Sequence, residues 1–344
     1  MSQLQREIAE QPSVIAGLLD AAWGDTGQVA AAIRAFNPPF VCIAARGTSD
    51  NAARYAQYLF GAALRLPVML ATPSLHTLYQ QPADLSRALV IGISQSGAAQ
   101  DVRQALADAR GQGALTVAIT NNADSPLANT AEYTLLLRAG RELSVAASKT
   151  YTAQLTVVAM LAAALADDST MRAELALLPK LVAKTLEMSA DIGDWAGAYQ
   201  KVTQLVTLGR GYNYATAGEI ALKVKELIYI ASEGYSEADF WHGPIAAIDA
   251  RHPVVLVAPS GATLESMRLM QAELAKRAAD LLVISDDTQT LTEATHALPV
   301  PAAPEWLSPI TGVVPGQIFA MQQALARGYP VDKPRGLSKV TVTE

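Results

Sequence analysis

The stretch "VIGISQSGAAQD", Val90 to Asp101, decides the fold. An apolar run leads straight into the small polar turn SQSG (94–97), and helical composition follows it. Similar β-branched runs, such as "FVCIAA" (40–45) and "LTVAIT" (115–120), alternate with alanine-rich helical stretches. Continuous apolar strands that alternate with helices indicate an α/β fold, with a parallel sheet covered on both faces.

The strand-to-turn pattern recurs once along the chain. "ALVIGISQSG" (88–97) matches "HPVVLVAPSG" (252–261), and "ALTVAITNN" (114–122) matches "ADLLVISDD" (279–287). The shift is nearly constant, which predicts two tandem α/β domains, each a parallel sheet flanked by helices. We place the first domain at residues 1–190 and the second at 191–344, with the joint in a helical stretch.

Composition limits the function. The 344 residues carry a net charge of -6 and no basic run, so nucleic acid and anionic membranes are poor candidates as partners. The single cysteine, Cys42, excludes an internal disulfide and fits a cytoplasmic protein, as does the polar start "MSQLQREIAEQ". The most apolar run, 155–166, is too short to span a bilayer and predicts a buried helix. Scattered histidines predict no metal site, and no cofactor is expected.

The turn at 94–97 has the features of an anion site. A helix N-terminus offers unpaired N–H groups and a positive dipole end, and the hydroxyls of Ser94 and Ser96 add donors beside Gln95. A second turn of this kind, with Thr48 and Ser49, follows the first strand. The alternative is that these hydroxyls only cap helices. Because dinucleotide and phosphate-loop fingerprints are absent, a small phosphorylated metabolite is the expected ligand.

The second copy carries a charged helix face instead. In "EIALKVKELIYI", Glu219, Lys223 and Glu226 are spaced i, i+4, i+7 and share one side of the helix. Glu226 is a candidate general base, since a carboxylate in an apolar helix can move protons on carbon. The alternative is a surface Glu–Lys pair, which contributes little to stability.

Two further residues are candidates for chemistry. His242, in "DFWHGP" (239–244), could exchange protons with a sugar oxygen near neutral pH; the alternative is a loop histidine packed on aromatic rings. Lys339, in the tail "DKPRGLSKVTVTE" (332–344), could form a Schiff base or hold an anion if the tail folds over a pocket. The alternative for Lys339 is a solvated tail lysine.

These motifs together resemble a known family. "ARGTSDNA", "ISQSG", "LRAGRELSVAASKTYTAQL", "LGRGYNYATAGEIALKVKE", "HGP" and "VDKPRGLSKVTVTE" occur in the order found in tandem sugar isomerase (SIS) domain proteins. The chain is similar to the isomerase half of glucosamine-6-phosphate synthase, and more so to the stand-alone SIS-type glucosamine-6-phosphate deaminases. The resemblance covers nearly the whole chain.

The resemblance implies roles for individual positions. It assigns the sugar phosphate to Ser94, Gln95 and Ser96, with Thr48 and Ser49 beside them, and a backbone contact with the sugar to Val145; Ser338 joins the substrate-binding set. It assigns proton transfer between C1 and C2 to Glu226, support of the open-chain hydroxyls to Lys223, ring opening to His242, and a place beside the carbonyl carbon to Lys339. It also implies a homodimer in which His242 reaches the neighbouring subunit's site.

Departures from the synthase pattern favour the deaminases. The chain starts Met1-Ser2 without the amidotransferase cysteine, so we expect no use of glutamine as an ammonia source. Arg46 stands where the synthase has a cysteine, as in the stand-alone deaminases, and Ala99 replaces a usual hydroxyl residue. The expected reaction is conversion of glucosamine 6-phosphate to fructose 6-phosphate and ammonia. The alternatives are an aldose–ketose phosphosugar isomerase, a fructosamine-6-phosphate deglycase, and a non-catalytic sugar-phosphate sensor.

Overall fold

The computed structural model describes residues 1–339. Within this range the strands are β1 (Val41–Ala44), β2 (Val68–Leu70), β3 (Leu89–Ile93), β4 (Leu115–Thr120), β5 (Tyr133–Leu136), β6 (Gln204–Gly209), β7 (Ala231–Ser236), β8 (Pro253–Val257), β9 (Asp280–Ser285) and β10 (His296–Pro299). The helices are α1 (Gln3–Ala9), α2 (Gln11–Ala21), α3 (Trp23–Phe36), α4 (Thr48–Leu64), α5 (Ser74–Thr77), α6 (Gln100–Gly111), α7 (Pro126–Thr130), α8 (Lys149–Ala166), α9 (Ser169–Leu175), α10 (Leu178–Met188), α11 (Ile192–Ala196), α12 (Asn213–Ile228), α13 (Glu237–Trp241), α14 (Leu264–Lys276), α15 (Thr288–Thr292) and α16 (Ser308–Ala326).

The strands form two parallel five-stranded sheets of the same topology. Their orders are β2-β1-β3-β4-β5 and β10-β9-β8-β6-β7, so the second order, read backwards, repeats the first. β3 begins at Leu89 and β8 begins 164 residues later at Pro253, while β4 begins at Leu115 and β9 begins 165 residues later at Asp280. The predicted α/β class and the two parallel sheets flanked by helices are confirmed.

The chain folds into two compact units whose segments interleave. The first unit contains residues 13–142, 149–177 and 338–339, with β1–β5; the second contains 1–12, 143–148 and 178–337, with β6–β10. A single boundary at residue 190 therefore does not describe the packing. Residues 1–12 belong to the unit with β6–β10, and residues 338–339 belong to the unit with β1–β5.

Hydrogen bonds explain why α1 belongs to the second unit. The carboxylate of Asp332 accepts the backbone N–H groups of Gln3 and Leu4, at 3.0 and 2.8 Å, where α1 begins. The side chain of Gln11 also donates to Gln317 at 3.0 Å, and both residues are buried. A carboxylate at a helix N-terminus satisfies unpaired donors and complements the helix dipole.

Helix α8 is the core helix predicted from the apolar run 155–166. It is longer than that run, and by length and composition alone its 18 residues could cross a membrane. However, 83% of this segment is buried inside the protein. Within the first unit α8 packs against α3 and α4, so its apolar surface is used in the fold.

Close packing also fixes the position of α6 in the first unit. A Cβ atom added to Gly92 of β3 would lie 2.7 Å from Leu106 Cδ1 of α6, nearer than real contacts allow. Glycine at this position lets α6 lie directly against β3. The turn that joins these two elements, residues 94–97, is therefore held between two well-packed elements.

Candidate functional site

The SQSG turn (residues 94–97) presents hydroxyl donors at the carboxyl end of β3. Ser94 Oγ accepts the N–H of Gly97 at 3.2 Å, and Ser96 Oγ accepts the N–H of Ala98 at 3.3 Å. A hydroxyl that accepts from the backbone keeps its own hydrogen to donate. Both serines therefore keep a hydroxyl hydrogen that an anion could accept, and their role in binding a phosphate stays a prediction.

The neighbouring strand holds the backbone of this turn. The carbonyl of Gln95 accepts the N–H of Asn121 at 3.0 Å and the hydroxyl of Thr120 at 3.3 Å, both at the end of β4. Gly97 has φ +65, a conformation that favours glycine. The turn is thus preorganised, which lowers the entropic cost of binding a ligand.

Helix α6 begins directly after the turn without a side-chain cap. Its N-cap residue is Ala99, with φ -61 and ψ 113, and no side chain accepts a hydrogen bond at that position. The methyl group of Ala99 accepts no hydrogen bond. The N–H of Val102 is accepted by Asp101 Oδ1 at 2.9 Å, and the other N–H groups that begin the helix are those an anion could accept.

Substituting Ala99 by serine is expected to stabilise the protein by about 1 kcal/mol, because a serine N-cap accepts an N–H of the first helical turn. Urea unfolding of Ala99→Ser measures this change, and Ala98→Ser, one residue outside the cap, is the control. An unchanged midpoint for Ala99→Ser would show that these N–H groups are not open to a cap.

The equivalent turn of the second unit is occupied by carboxylates of the chain itself. It follows β8, and there Glu305 Oε2 accepts the N–H of Ala262 at 2.9 Å while Asp286 Oδ1 accepts that of Ser260 at 2.6 Å. This turn therefore binds anions, but internal ones. That the first copy keeps an anion site for a ligand stays a prediction.

Replacing Glu305 by alanine is expected to destabilise the protein by about 1–3 kcal/mol, since a backbone donor loses its charged acceptor. The free energy of unfolding in urea measures the loss. Glu293→Ala, at an exposed position after α15, is the control and should stay within about 0.5 kcal/mol of wild type. Equal effects of the two substitutions would contradict this account of the turn.

The turn after β1 adds a second pair of hydroxyls next to the SQSG turn, because β1 and β3 are neighbouring strands. Gly47, with φ +56, turns the chain into α4. Ser49 is buried and accepts the side-chain amide of Gln154 at 2.9 Å, while Thr48 is half-buried. The structure thus brings Thr48 and Ser49 to the same sheet edge as Ser94–Ser96.

The charged face of α12 (Glu219, Lys223 and Glu226) is buried, so the alternative of a surface ion pair is wrong. Lys223 Nζ lies 3.3 Å from Glu219 Oε1 and 2.5 Å from Glu226 Oε2. The side chains of Glu219 and Lys223 are 0% and 2% exposed, and that of Glu226 is 22% exposed. Burial favours the neutral amine, but the two carboxylates outweigh it and raise the pKa of Lys223 above its usual value. Glu226 is the member of this face that a ligand can reach.

Two glycines let the second unit pack closely around α12. A Cβ at Gly234 of β7 would lie 2.7 Å from the backbone of Ala217, and one at Gly316 of α16 would collide with Ile220. The sheet and α16 can therefore approach α12 closely enough to exclude water from much of its surface. Low local polarity then strengthens the interaction of Lys223 with its carboxylates.

His242 ends α13 on an anchored loop of the second unit. Its side chain is exposed, so it is not packed beneath aromatic rings. The neighbouring Trp241 donates its indole N–H to Glu237 at 2.5 Å, and Arg210 binds the other oxygen of the buried Glu237 carboxylate at 2.6 Å. These contacts hold the loop while the imidazole remains accessible to a ligand or another chain.

Lys339 forms an ion pair in the first unit, so it is not a solvated tail lysine. Its Nζ lies 2.7 Å from Glu142 Oε2, and the buried Glu142 carboxylate also accepts the N–H and hydroxyl of Thr150 at 3.1 and 2.6 Å. A Schiff base at Lys339 would require this pair to open. Ser338, beside it, is exposed.

The loop with Val145 is held by a carboxylate in the second unit. Glu7 accepts the backbone N–H groups of Leu143 and Ser144, at 2.5 and 3.2 Å. The N–H of Val145 is donated to the carbonyl of Asp332 at 3.2 Å. A backbone contact of Val145 with a sugar would therefore use its carbonyl oxygen.

The duplicated architecture coincides with a repeated family match. A family model of the SIS domain matches residues 39–164 and again 198–327. The chain belongs to the SIS domain family. Among residues 1–339, no group of three or more His, Cys, Asp or Glu side chains suits a metal ion.

Individual SIS proteins show how far the likeness extends. Glutamine–fructose-6-phosphate aminotransferase [isomerizing] of Pyrococcus horikoshii is 34% identical over 345 residues, which cover 98% of this chain and 57% of that protein. This chain thus spans little more than half the length of that relative. A candidate phosphosugar isomerase of Silicibacter pomeroyi has a crystal structure with TM-score 0.87 and 34% identity, covering 96% of this chain and 99% of that one. Glucosamine-6-phosphate deaminase of Thermotoga maritima has TM-score 0.84 over 99% and 100% of the two chains; its 23% identity shows the fold alone.

The sequence patterns did not predict several acidic residues that hold the candidate site residues of this SIS protein in place. Glu142 supports Lys339, Glu7 holds the loop of Val145, and Asp101 pairs with Arg46 at 2.7 Å. Each is an ordinary acidic residue in sequence, and its role depends on a partner distant along the chain. The one local signal was the position of Asp101 in the first turn of a predicted helix.

Proposed function

We propose that this SIS protein is a phosphosugar enzyme that converts glucosamine 6-phosphate to fructose 6-phosphate and ammonia without a cofactor. The observation that carries the proposal is Glu226, a partly exposed carboxylate bound to the buried ammonium of Lys223. A carboxylate fixed in this way suits proton transfer on carbon. The SQSG turn, whose serine hydroxyls accept backbone N–H groups and keep their own hydrogens, suits the sugar phosphate. The similarity to an isomerizing aminotransferase supports the same chemistry.

The proposed reaction moves one proton between neighbouring carbons. His242 opens the pyranose ring by exchanging protons with its oxygens. Glu226 removes the proton from C2 of the open-chain amino sugar and returns it to C1 through an enolamine. This leaves an imine at C2, which water hydrolyses to the ketone and ammonia. Lys223 favours the intermediate, because its positive charge stabilises the negative charge that develops on the substrate oxygen.

The same proton transfer would serve a sugar-phosphate isomerase or a deglycase. A substrate panel separates the three: glucosamine 6-phosphate, glucose 6-phosphate, and a fructosamine 6-phosphate formed from an amino acid. The proposal predicts equal amounts of ammonia and fructose 6-phosphate from the first substrate and slower turnover of the others. A folded sample that binds glucosamine 6-phosphate and releases no ammonia would overturn it.

We infer that the enzyme is a homodimer in which His242 acts in the partner's site. The exposed imidazole and its 42% exposed neighbour Trp241 support this arrangement. Mixing inactive Glu226→Gln and His242→Asn proteins should then restore activity, up to about a quarter of wild type if subunits exchange randomly. Light scattering that shows a monomer at assay concentration, with full activity, would contradict it.

A further inference from the structure

Arg46 and Asp101 form an ion pair beside the SQSG turn, in the first unit. Arg46 follows β1, the strand next to β3, and its Nε lies 2.7 Å from Asp101 Oδ2. Asp101 is the second residue of α6, four positions after the turn ends at Gly97. Asp101 Oδ1 also accepts the N–H of Val102 at 2.9 Å, so the ion pair lies at the N-terminus of α6, next to the turn.

The two members of this pair differ in exposure. The Asp101 side chain is 1% exposed, whereas that of Arg46 is 52% exposed. The bond to Asp101 uses Nε, and the guanidinium carries four further N–H donors on its two terminal nitrogens. Asp101 thus anchors the base of the guanidinium, and the terminal nitrogens remain close to the surface.

The turn itself supplies no positive charge for a phosphate. The stretch 90–101 contains no lysine or arginine, and Ala99 has no hydroxyl. Two acidic residues lie close by, Asp101 in α6 and Asp50 in α4. Burial raises the pKa of Asp50, while the charges of Arg54 and Arg46 oppose that rise. A phosphate bound here needs a cation to offset these carboxylates, and Arg46 is placed among them.

We propose that Arg46 is a phosphate-binding residue, whose terminal guanidinium nitrogens donate to the sugar phosphate held by the SQSG turn. Guanidinium groups match phosphate oxygens in geometry and form charge-assisted hydrogen bonds. The inference rests on the proposed use of this turn for a sugar phosphate. It adds the charge that the hydroxyls and the helix N-terminus lack.

Calorimetry with inorganic phosphate and with fructose 6-phosphate tests the role without requiring turnover. Arg46→Ala should raise the Kd for both ligands about tenfold or more. Arg110→Ala is the control: it removes an exposed arginine from the far end of α6, about 13 Å along the helix axis from Asp101, and should leave both Kd values unchanged. Arg46→Gln, which keeps polarity and bulk, should behave like Arg46→Ala and guards against a folding defect.

A double variant separates phosphate binding from simple neutralisation of Asp101. If Arg46 contacts phosphate, Arg46→Ala/Asp101→Asn should bind as weakly as Arg46→Ala. Recovery to within about twofold of wild type would show that Arg46 only offsets Asp101, and would overturn the inference. An unchanged Kd in Arg46→Ala would also overturn it. If phosphate binding depends on Arg46 but the protein releases no ammonia from glucosamine 6-phosphate, the proposed reaction is wrong and the assignment of Arg46 to phosphate binding stands.

Discussion

Replacing Glu226 by glutamine is expected to lower kcat for glucosamine 6-phosphate about 10³-fold, within the range that general bases contribute. Glutamine keeps the size of the side chain and can still accept from Lys223, but it cannot take up a proton at carbon. The Kd for fructose 6-phosphate should change less than about threefold, because the proposed phosphate-binding residues are those of the SQSG turn and not Glu226. Steady-state kinetics and calorimetry on the same samples measure both quantities.

The chain offers a matched control for this substitution. Lys184 and Glu187 form the same i, i+3 pair at 3.0 Å, but both side chains are more than half exposed. Glu187→Gln should therefore leave kcat unchanged. Retention of more than a tenth of wild-type kcat in Glu226→Gln would show that another group moves the proton; a wild type as inert as the variant would favour a sugar-phosphate sensor.

Replacing Lys223 by methionine is expected to destabilise the protein by about 3–5 kcal/mol, because the fully buried carboxylate of Glu219 loses the ammonium group that lies 3.3 Å from it. Urea unfolding measures the change. Lys184→Met, which breaks the exposed pair with Glu187, should cost less than about 1 kcal/mol. The contrast isolates the effect of burial from that of the Lys–Glu pairing itself.

A second substitution tests the physical reason for this loss. Adding Glu219→Gln to Lys223→Met should recover much of the stability, since the uncompensated charge is removed. The raised pKa of Lys223 also predicts how the stability of the protein depends on pH. The stability that the charged Lys223 contributes is complete below the unfolded pKa of about 10.4. It is lost only as the pH rises through the higher pKa of the folded state. A Lys223→Met protein that unfolds within about 1 kcal/mol of wild type at pH 7 would contradict the account.

The central strands of both sheets and the edge strand β5 could be predicted from apolar runs, but the edge strands β2 and β7 could not. β4 and β9 coincide with continuous buried runs, which the sequence pattern indicates directly. β2 has three residues that are half-buried or exposed, and β7 contains Glu233 and Gly234. Short edge strands are paired on one side only, so their sequences lack a continuous apolar pattern.

The spacing of the charged face on α12 was predictable, whereas its burial was not. Helical geometry alone places Glu219, Lys223 and Glu226 on one side. Whether that side is covered depends on close packing against other parts of the unit, such as Gly316 of α16, nearly a hundred residues away. In the same way, Pro259 in the sequence indicated that the second turn lacks one backbone N–H donor. That Glu305 occupies this turn could be learned only from the folded structure, because Glu305 is distant from the turn along the chain.

The most direct test of the central claim, that Glu226 moves a proton on a sugar phosphate, is hydrogen exchange at carbon. Fructose 6-phosphate is incubated with the enzyme in D₂O containing ammonium, and NMR follows deuterium at C1. The account predicts incorporation with wild type and with Glu187→Gln, and none above background with Glu226→Gln. Incorporation by Glu226→Gln at the wild-type rate, or none by a folded wild type that binds the sugar, would contradict it.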